Sequence, residues 1–261
     1  MVPASVLVVL PTLGDRLEFL ETTLRSCRDL AGLVTTTVAM VVPAGAVQAR
    51  ALGSQYGAVL IDDPSSGMAD AVNRGLGART TEEFYVWVGD DDELVPQGVA
   101  ALVGALGDRP SAVVAYGHCD YIDGRGSVIG RSKAGPLATS LLPWGPNLIP
   151  HPGTIVRLDA LEAVNGFDSR LSYALDLDVF LKLRRIGDFI TAPEVSARFR
   201  WHADSATVAD RSSSTREAII VKNRHLPVWL RPLSWIWNYP VAWASQLAAW
   251  AVTVRARNLH V

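Results

Sequence analysis

The sequence predicts an α/β protein whose central sheet is mostly parallel, and two observations support this prediction. Short apolar runs alternate with helical patterns from residue 5 to about residue 117. Several of these runs are apolar throughout, which is typical of strands buried on both faces of a parallel sheet. With 261 residues, 49% of them hydrophobic, the chain is long enough for one large domain and an appendage.

Rossmann-like βαβ units account for the order of these elements. Helices are predicted where apolar residues recur at three- and four-residue steps, as in 17–30, or where a proline opens the run, as in 96–106. The expected strands are 6–10, 37–42, 58–61, 84–88 and 112–116, and the expected helices are 17–30, 47–56, 68–78 and 96–106. Ligands of such sheets bind at the carboxyl ends of the strands.

The pattern changes after residue 117. Residues 118–129 predict two strands around a glycine-rich turn, and 135–152 predict a proline-spaced loop that could cover a cleft. A strand over 153–157 and a short helix over 159–164 follow, and the helix is closed by Asn165 and Gly166. An amphipathic helix is expected over 173–183, with two acids near its start.

The most distinctive stretch is 85–93, an apolar run that stops at four consecutive carboxylates. Like charges repel one another unless a cation or a donor-rich ligand is near, which predicts a metal site. Asp is also favoured near helix N-termini, which predicts an acidic cap of the next helix. Both interpretations are open on the residues alone. Glu93 is expected to begin the next turn.

Several function classes are disfavoured by composition and motifs. The sequence has neither GxGxxG after the first strand nor GxxxxGK[ST], so a phosphate would be held by metal and side chains. A net charge of −2 gives no basic field for nucleic acid. Cys27 and Cys119 are too far apart for a zinc ribbon. The apolar N-terminus lacks a basic region and predicts a strand rather than a signal peptide, so a cytoplasmic location is expected.

Six short motifs follow one another along the chain, at 67–75, 90–92, 116–123, 149–154, 166–168 and 174–178. Together they resemble glycosyltransferase family 2, the inverting nucleotide-sugar transferases of GT-A fold. The resemblance implies a GT-A domain over 1–210, with a nucleotide-binding part over 1–117 and an acceptor and catalytic part over 118–210. Residues 211–261 would form a C-terminal helical appendage rich in tryptophan.

The resemblance also implies roles at the donor end of the site. Asp90, Asp91 and Asp92 would bind a divalent cation, Mg²⁺ or Mn²⁺, that bridges the diphosphate of the sugar donor, with Asp92 as the direct ligand. His202 matches a histidine found near the metal or the diphosphate. The other implied donor-binding residues are Pro11 and Thr12 at the end of the first strand, and Asp70 and Asn73 on the helix that lines the donor pocket.

On the acceptor side, Asp176 matches the catalytic base of the family. Asp178 lies about 200° further around the helix, so a supporting or capping role is expected. His151 would shape the acceptor side of the cleft. The usual Asp-rich turn after the second strand is replaced by Val42-Pro43-Ala44, which leaves Asp62 and Asp63, or backbone groups, as candidates for base recognition. The residue before Asp176 is leucine instead of the usual acid.

The predicted function is metal-dependent, inverting transfer of a hexosyl or deoxyhexosyl group from a nucleoside-diphosphate sugar to a hydroxyl of a glycan or a lipid-linked acceptor. A nucleotidyltransferase, which also uses carboxylate-bound metal, is one alternative. It normally has a basic phosphate-binding loop near the first strand, where this chain offers Arg16 alone. A catalytically silent, membrane-associated scaffold of GT-A shape is the other alternative.

The C-terminal segment has two possible interpretations. Five of the eight tryptophans follow residue 225, with arginines around them. The proline-free stretch 241–254 is shorter than the roughly 20 apolar residues that a spanning helix needs. Tryptophan and arginine together suit an interfacial anchor on the inner face of the plasma membrane. They equally suit a helix packed on the domain or on a second copy in a homo-oligomer.

Overall fold

A computed structural model describes residues 4–201, 211–244 and 247. The strands are β1 (Ser5–Pro11), β2 (Thr35–Val42), β3 (Val59–Asp62), β4 (Phe84–Trp87), β5 (Glu93–Leu94), β6 (Ala112–Ile122), β7 (Val128–Ser132), β8 (Ile155–Arg157) and β9 (Asp188–Arg200). The helices are α1 (Leu17–Ala31), α2 (Val47–Gln55), α3 (Met68–Leu76), α4 (Pro96–Gly107), α5 (Leu137–Leu141), α6 (Leu158–Ala163), α7 (Leu175–Leu183) and α8 (Arg211–His225). A 3₁₀ helix, Val228–Leu233, and a helical stretch over 235–244 follow.

The strands form one curled sheet in the order β3-β2-β1-β4-β8-β6-β9-β5, with β7 paired to β6. Strand β1 pairs in parallel with β2 and β4, and β2 pairs in parallel with β3, as βαβ units require. The predicted α/β class with a mostly parallel sheet is confirmed. Strand β8 lies antiparallel between β4 and β6, so the fifth predicted strand does not neighbour the fourth.

Both faces of the sheet are covered by helices, which explains the continuous apolar runs. Successive residues of a strand point to opposite faces. In β1, Leu7 and Val9 therefore pack in the core shared with α3 and α7, which we call the α7 face. Val6 and Val8 pack in the core shared with α1 and α4. All four side chains are fully buried, so every position of the strand must be apolar.

Three elements differ from the sequence prediction. Strand β6 continues to Ile122 instead of ending at Tyr116, and its outer half forms the predicted hairpin with β7. The loop predicted over 135–152 contains helix α5. Glu93, predicted to begin a turn, lies in β5, which pairs antiparallel with β9. Its partner Arg198 lies 105 residues later, so no local pattern reveals this strand.

The C-terminal segment begins as part of the packed domain. Helix α8 contacts α7, and Val221 of α8 is fully buried in the core of the α7 face. The segment becomes more exposed after His225, where the 3₁₀ helix and the stretch 235–244 carry several large apolar side chains in contact with solvent. Within the residues that the structure describes, no helix is both long enough and apolar enough to cross a membrane.

Candidate functional site

The acidic loop, residues 89–92, directly follows β4 at the edge of the sheet where β1 also ends. Pro11 is the last residue of β1 and is buried. The hydroxyl of Thr12 donates a hydrogen bond to Oδ2 of Asp90 at 2.6 Å. The guanidinium of Arg16 contacts a carboxylate oxygen of Asp91 and lies 3.8 Å from Oδ1 of Asp90. The structure thus brings together the donor-binding residues predicted at these two strand ends.

Arg200, the last residue of β9, fastens the other side of the acidic loop. Asp92 is 1% exposed, and its Oδ1 accepts a hydrogen bond from the backbone N–H of Arg200 at 2.9 Å. The Arg200 guanidinium donates to the carbonyl oxygens of Asp91 and Asp123, both at 2.8 Å, and to Oε1 of Glu93 at 3.0 Å. Two arginines therefore bring positive charge to a run of acids that would otherwise repel one another.

One oxygen of the loop has no such contact: Oδ2 of Asp92 is buried without a hydrogen-bond partner. Burial raises the pKa of Asp92 well above its usual range, and the charge of Asp91 adds to the effect. A Cβ at Gly89 would lie 3.1 Å from this oxygen and 3.1 Å from Oδ1 of Asp91. The missing side chain therefore leaves space beside two carboxylate oxygens.

These two oxygens fit a hard divalent cation. Mg²⁺ is usually bound through one or two carboxylates and completes its coordination with substrate phosphates and water. Across the described ranges, no group of three or more His, Cys, Asp or Glu side chains could hold a metal ion.

Three rings connect the acidic loop to the α7 face of the sheet. The imidazole of His151 stacks on the indole of Trp87, with centroids 4.6 Å apart and an interplanar angle of 5°. Its Nε2 lies 3.2 Å from the hydroxyl of Tyr85. Burial lowers the pKa of His151 to about 3, so the ring is neutral near pH 7. Its predicted part in shaping the acceptor side stays a prediction.

Asp176 lies in the first turn of α7, on the same face of the sheet. It is half-buried, and its Oδ2 accepts a hydrogen bond from Nδ2 of Asn147 at 2.8 Å. Burial raises the pKa of Asp176 to about 6, although hydrogen bonds from the backbone and from Asn147 act against this rise. Burial raises the pKa of Tyr85 well above its usual range, and the charge of Asp176 adds to the effect. A carboxylate with this pKa is ionised at neutral pH yet basic enough to accept a proton.

Asp178, two residues further along α7, fastens this helix to α8. Its Oδ2 lies 2.7 Å from Nζ of Lys182, and its Oδ1 lies 2.9 Å from Nε2 of His225. Burial acts to raise the pKa of Asp178, but the hydrogen bonds from His225 and Lys182 outweigh it and the pKa is lowered. Any support that Asp178 gives to Asp176 therefore acts through the packing of the helix.

Three predicted donor-binding carboxylates make local contacts. The pairs are Asp62 with Arg50 at 2.8 Å, Asp63 with the backbone N–H of Ser65 at 2.8 Å, and Asp70 with Arg74 at 2.9 Å. The side chain of Asp62 is 74% exposed and that of Asp70 is 27% exposed. Exposed ion pairs contribute little free energy, so a ligand can displace them at small cost.

The side chain of Asn73 has a structural use that sequence reasoning did not anticipate. Its Nδ2 donates to the carbonyl of Phe167 at 2.8 Å, and its Oδ1 accepts from the N–H of Phe167 at 3.0 Å. Gly166 has a φ of +59°, and a Cβ there would lie 2.8 Å from Oδ1 of Asn73. This pair of bonds joins α3 to the turn after α6. A contact between Asn73 and the donor stays a prediction.

Sequence reasoning missed two residues that position Asp176. Asn147 holds its carboxylate from the loop before β8. Glu217 of α8 accepts three backbone N–H groups of residues 172–174 at 2.5–2.9 Å, directly before α7. These contacts join residues 29 to 45 positions apart, so no local spacing indicates them. His202, the second predicted metal ligand, lies outside the described residues.

The fold resembles that of several solved structures. S. aureus TarS 1–349 in complex with UDP-GlcNAc matches with a TM-score of 0.63 at 13% identity, over 85% of this chain and 66% of TarS. The mannosyltransferase PcManGT from Pyrobaculum calidifontis, in complex with GDP-Man and Mn²⁺, matches with a TM-score of 0.62 at 18% identity, over 95% of this chain and 75% of the enzyme. Against a longer TarS structure the chain spans 43% of the length. No protein-family model and no curated protein sequence matches.

The class of fold follows from the sheet and from these likenesses. The curled, mostly parallel sheet with helices on both faces is the architecture that this chain shares with GT-A structures. The chain has the GT-A fold that the ordered motifs predict.

Proposed function

We propose that this chain is a metal-dependent, inverting glycosyltransferase of the family 2 type. It transfers a hexosyl or deoxyhexosyl group from a nucleoside-diphosphate sugar to a hydroxyl of a glycan or lipid-linked acceptor. The observation that carries the proposal is Asp176, a half-buried carboxylate with a pKa of about 6 on the sheet face that leads to the acidic loop. Two GT-A neighbours are bound to UDP-GlcNAc, and to GDP-Man with Mn²⁺, which supports a nucleotide-sugar donor.

The donor end of the proposed site is the acidic loop and its surroundings. Asp91 and Asp92 would hold Mg²⁺ or Mn²⁺ in the space beside Gly89, with His202 as a further contact. The ion would supply Lewis-acid stabilisation of the negative charge on the departing nucleoside diphosphate. Arg16 brings a positive charge to the same edge of the sheet. The nucleotide is proposed to contact Pro11, Thr12, Asp62, Asp63, Asp70, Asn73 and Asp90.

The acceptor end is the start of α7. Asp176 would take the proton from the acceptor hydroxyl as that oxygen attacks the anomeric carbon, which is the task of a general base. Asn147 holds the carboxylate in place through its hydrogen bond at 2.8 Å. The transition state of such a transfer resembles an oxocarbenium ion, as it does in glycoside hydrolysis. His151, which is neutral, adds no positive charge beside that cation.

A thermal-shift screen tests the donor end directly. A ligand that binds only the folded state raises the midpoint of thermal unfolding. We expect a nucleoside diphosphate to raise the midpoint with Mn²⁺ present and to raise it much less without Mn²⁺. A chain that binds no nucleoside diphosphate under either condition would be a silent scaffold. A nucleotidyltransferase would bind a nucleoside triphosphate and release pyrophosphate, which a product assay separates from release of a nucleoside diphosphate.

A further inference from the structure

The helical stretch 235–244 turns its apolar side towards solvent. At 100° per residue, its four large exposed side chains fall within an arc of about 100°. They are Trp235 (62% exposed), Ile236 (52%), Tyr239 (67%) and Trp243 (71%). Asn238 lies outside this arc and is 2% exposed. A surface helix of a globular protein normally has the reverse arrangement, with its apolar side packed on the core.

The 3₁₀ helix just before this stretch exposes a further tryptophan. Trp229 is 73% exposed. We call Trp229, Trp235, Ile236, Tyr239 and Trp243 the aromatic face. Arg231 lies between its first two tryptophans in the sequence and is exposed. Tryptophan and tyrosine are enriched at the headgroup level of membranes, where their rings are partly apolar and partly hydrated.

The charge of this segment favours an anionic partner. Residues 218–261 contain no Asp or Glu, and they contain the cations Lys222, Arg224, Arg231, Arg255 and Arg257. Lys222 is buried and Arg224 is paired with Asp168. Arg231 is exposed in the 3₁₀ helix, and its guanidinium donates to the carbonyls of Leu226 and Arg224. A second copy of the chain would bring like charges together with no acid of this segment to pair with them. Anionic lipid headgroups attract such cations.

The aromatic face is anchored beside the acceptor end of the site. Trp237, between its members, packs edge-on against Trp144 with centroids 5.3 Å apart. Lys222 donates to the carbonyl of Gly145 at 2.6 Å. Two residues further on, Asn147 holds Asp176. A single loop therefore connects the aromatic face to the proposed base.

We propose that the aromatic face docks the protein on an anionic lipid surface, and that the acceptor hydroxyl belongs to a lipid-linked molecule in that surface. The second part rests on the proposed function, whereas docking does not. Docking would bring the hydroxyl of a membrane-bound acceptor to the side of the cleft where Asp176 lies. The soluble donor would enter at the acidic loop.

Vesicle co-sedimentation of the full chain tests the docking without nucleotide, metal or acceptor. We expect binding to mixed phosphatidylcholine and phosphatidylglycerol vesicles, and weaker binding to phosphatidylcholine alone. The double variant Trp229→Ser, Trp243→Ser should bind the mixed vesicles at least about tenfold more weakly, because binding scales with buried apolar area. Arg231→Gln should reduce the preference for anionic vesicles by about fivefold.

A matched control is available in two apolar residues exposed elsewhere. Leu33 is 54% exposed and Val128 is 55% exposed, and both lie away from the C-terminal segment. The double variant Leu33→Ser, Val128→Ser should bind vesicles like the wild type. Because all four substituted side chains are exposed, both double variants should keep the wild-type thermal midpoint.

Three results would overturn the docking proposal. The wild type could fail to sediment with mixed vesicles at low salt, or the double tryptophan variant could bind as tightly as the wild type. Light scattering could also find a dimer that this variant dissociates, without any vesicle binding, which would assign the aromatic face to a second copy. Failure of the proposed function shows separately, as the absence of a thermal shift with any nucleoside diphosphate and Mn²⁺.

Discussion

Asp176→Asn is expected to slow sugar transfer strongly and, at the same time, to stabilise the fold. Asparagine has the same shape and can still accept the hydrogen bond from Asn147, but it cannot take a proton. Loss of a general base lowers kcat by roughly 10²–10⁴-fold, which corresponds to about 3–5 kcal/mol in the barrier. The wild-type rate should fall on the acid side with a pKa of about 6, and this dependence should vanish in the variant.

The gain in stability follows from the raised pKa. Burial lifts the pKa of Asp176 from 3.8 to about 6, so the folded protein holds the charge less favourably than the unfolded chain does. The ionised form then costs up to about 3 kcal/mol at pH 7. The protonated Asp176 contributes fully to the stability of the fold at a pH below the pKa that it has in the unfolded chain. This contribution is lost as the pH rises through about 6, its pKa in the folded protein. The neutral variant should avoid the cost and raise the thermal midpoint by several degrees.

Asp178→Asn is the matched control, because the same substitution two residues away should lower the stability of the fold instead of raising it. It leaves Lys182 and His225 without their acidic partner in the interface of α7 and α8. The side chain of Lys182 is 30% exposed and keeps access to water, so the loss should be about 1–3 kcal/mol, the cost of leaving buried hydrogen-bonding groups without a charged partner. Thermal unfolding and transfer rates across about pH 5 to 8 measure both variants. A wild-type rate in Asp176→Asn refutes the base, and a midpoint below wild type at pH 7 refutes the argument from burial.

Three further predictions concern the acidic loop and α8. Asp92→Asn should lose the Mn²⁺-dependent thermal shift with a nucleoside diphosphate. It should also raise the metal-free midpoint, as Asp176→Asn does, because burial raises the pKa of Asp92 as well; an unchanged Mn²⁺-dependent shift contradicts the metal role. Gly89→Ala should weaken the same shift by crowding two carboxylate oxygens. Its control Gly104→Ala, whose Cβ meets nothing within 4 Å in α4, should stabilise the fold by about 0.5–1 kcal/mol. Glu217→Gln should lower the free energy of unfolding by about 1–3 kcal/mol, measured by denaturant unfolding. It should also lower the pKa in the pH–rate profile, because the charge of Glu217 helps to raise the pKa of Asp176. A pH–rate profile like that of the wild type contradicts this interaction between Glu217 and Asp176.

The elements that could be predicted are those defined by their own residues. Strand β1 is apolar at every position because both faces of the sheet are covered, and α1 shows the three- and four-residue repeat of a helix with one buried side. Strand β5 could not be predicted, because two residues form a strand only where β9 passes beside them.

The candidate site likewise has one part that the sequence predicts and another that depends on contacts between distant residues. The acidic run is contiguous, so the sequence reveals it. The arginines that balance it could not be assigned from spacing, because Arg16 and Arg200 lie 75 and 109 residues from Asp91. Glu217 and Asn147 likewise reach the start of α7 only through the packing of α8 and of the loop before β8.

During biosynthesis, the acidic loop is made well before β9, the last strand in the chain, which supplies some of its contacts. Arg200 is added 109 residues after Asp91, and until then the loop lacks both the guanidinium and the N–H that fasten it. Contacts between residues so far apart form late, since the intervening chain must first be ordered. A ribosome-bound chain that ends before β9 could fold the β3-β2-β1-β4 unit and still present an open acidic loop. The nascent chain has the contacts of Thr12 and Arg16 with the loop early, but completes the loop only when Arg200 has been made.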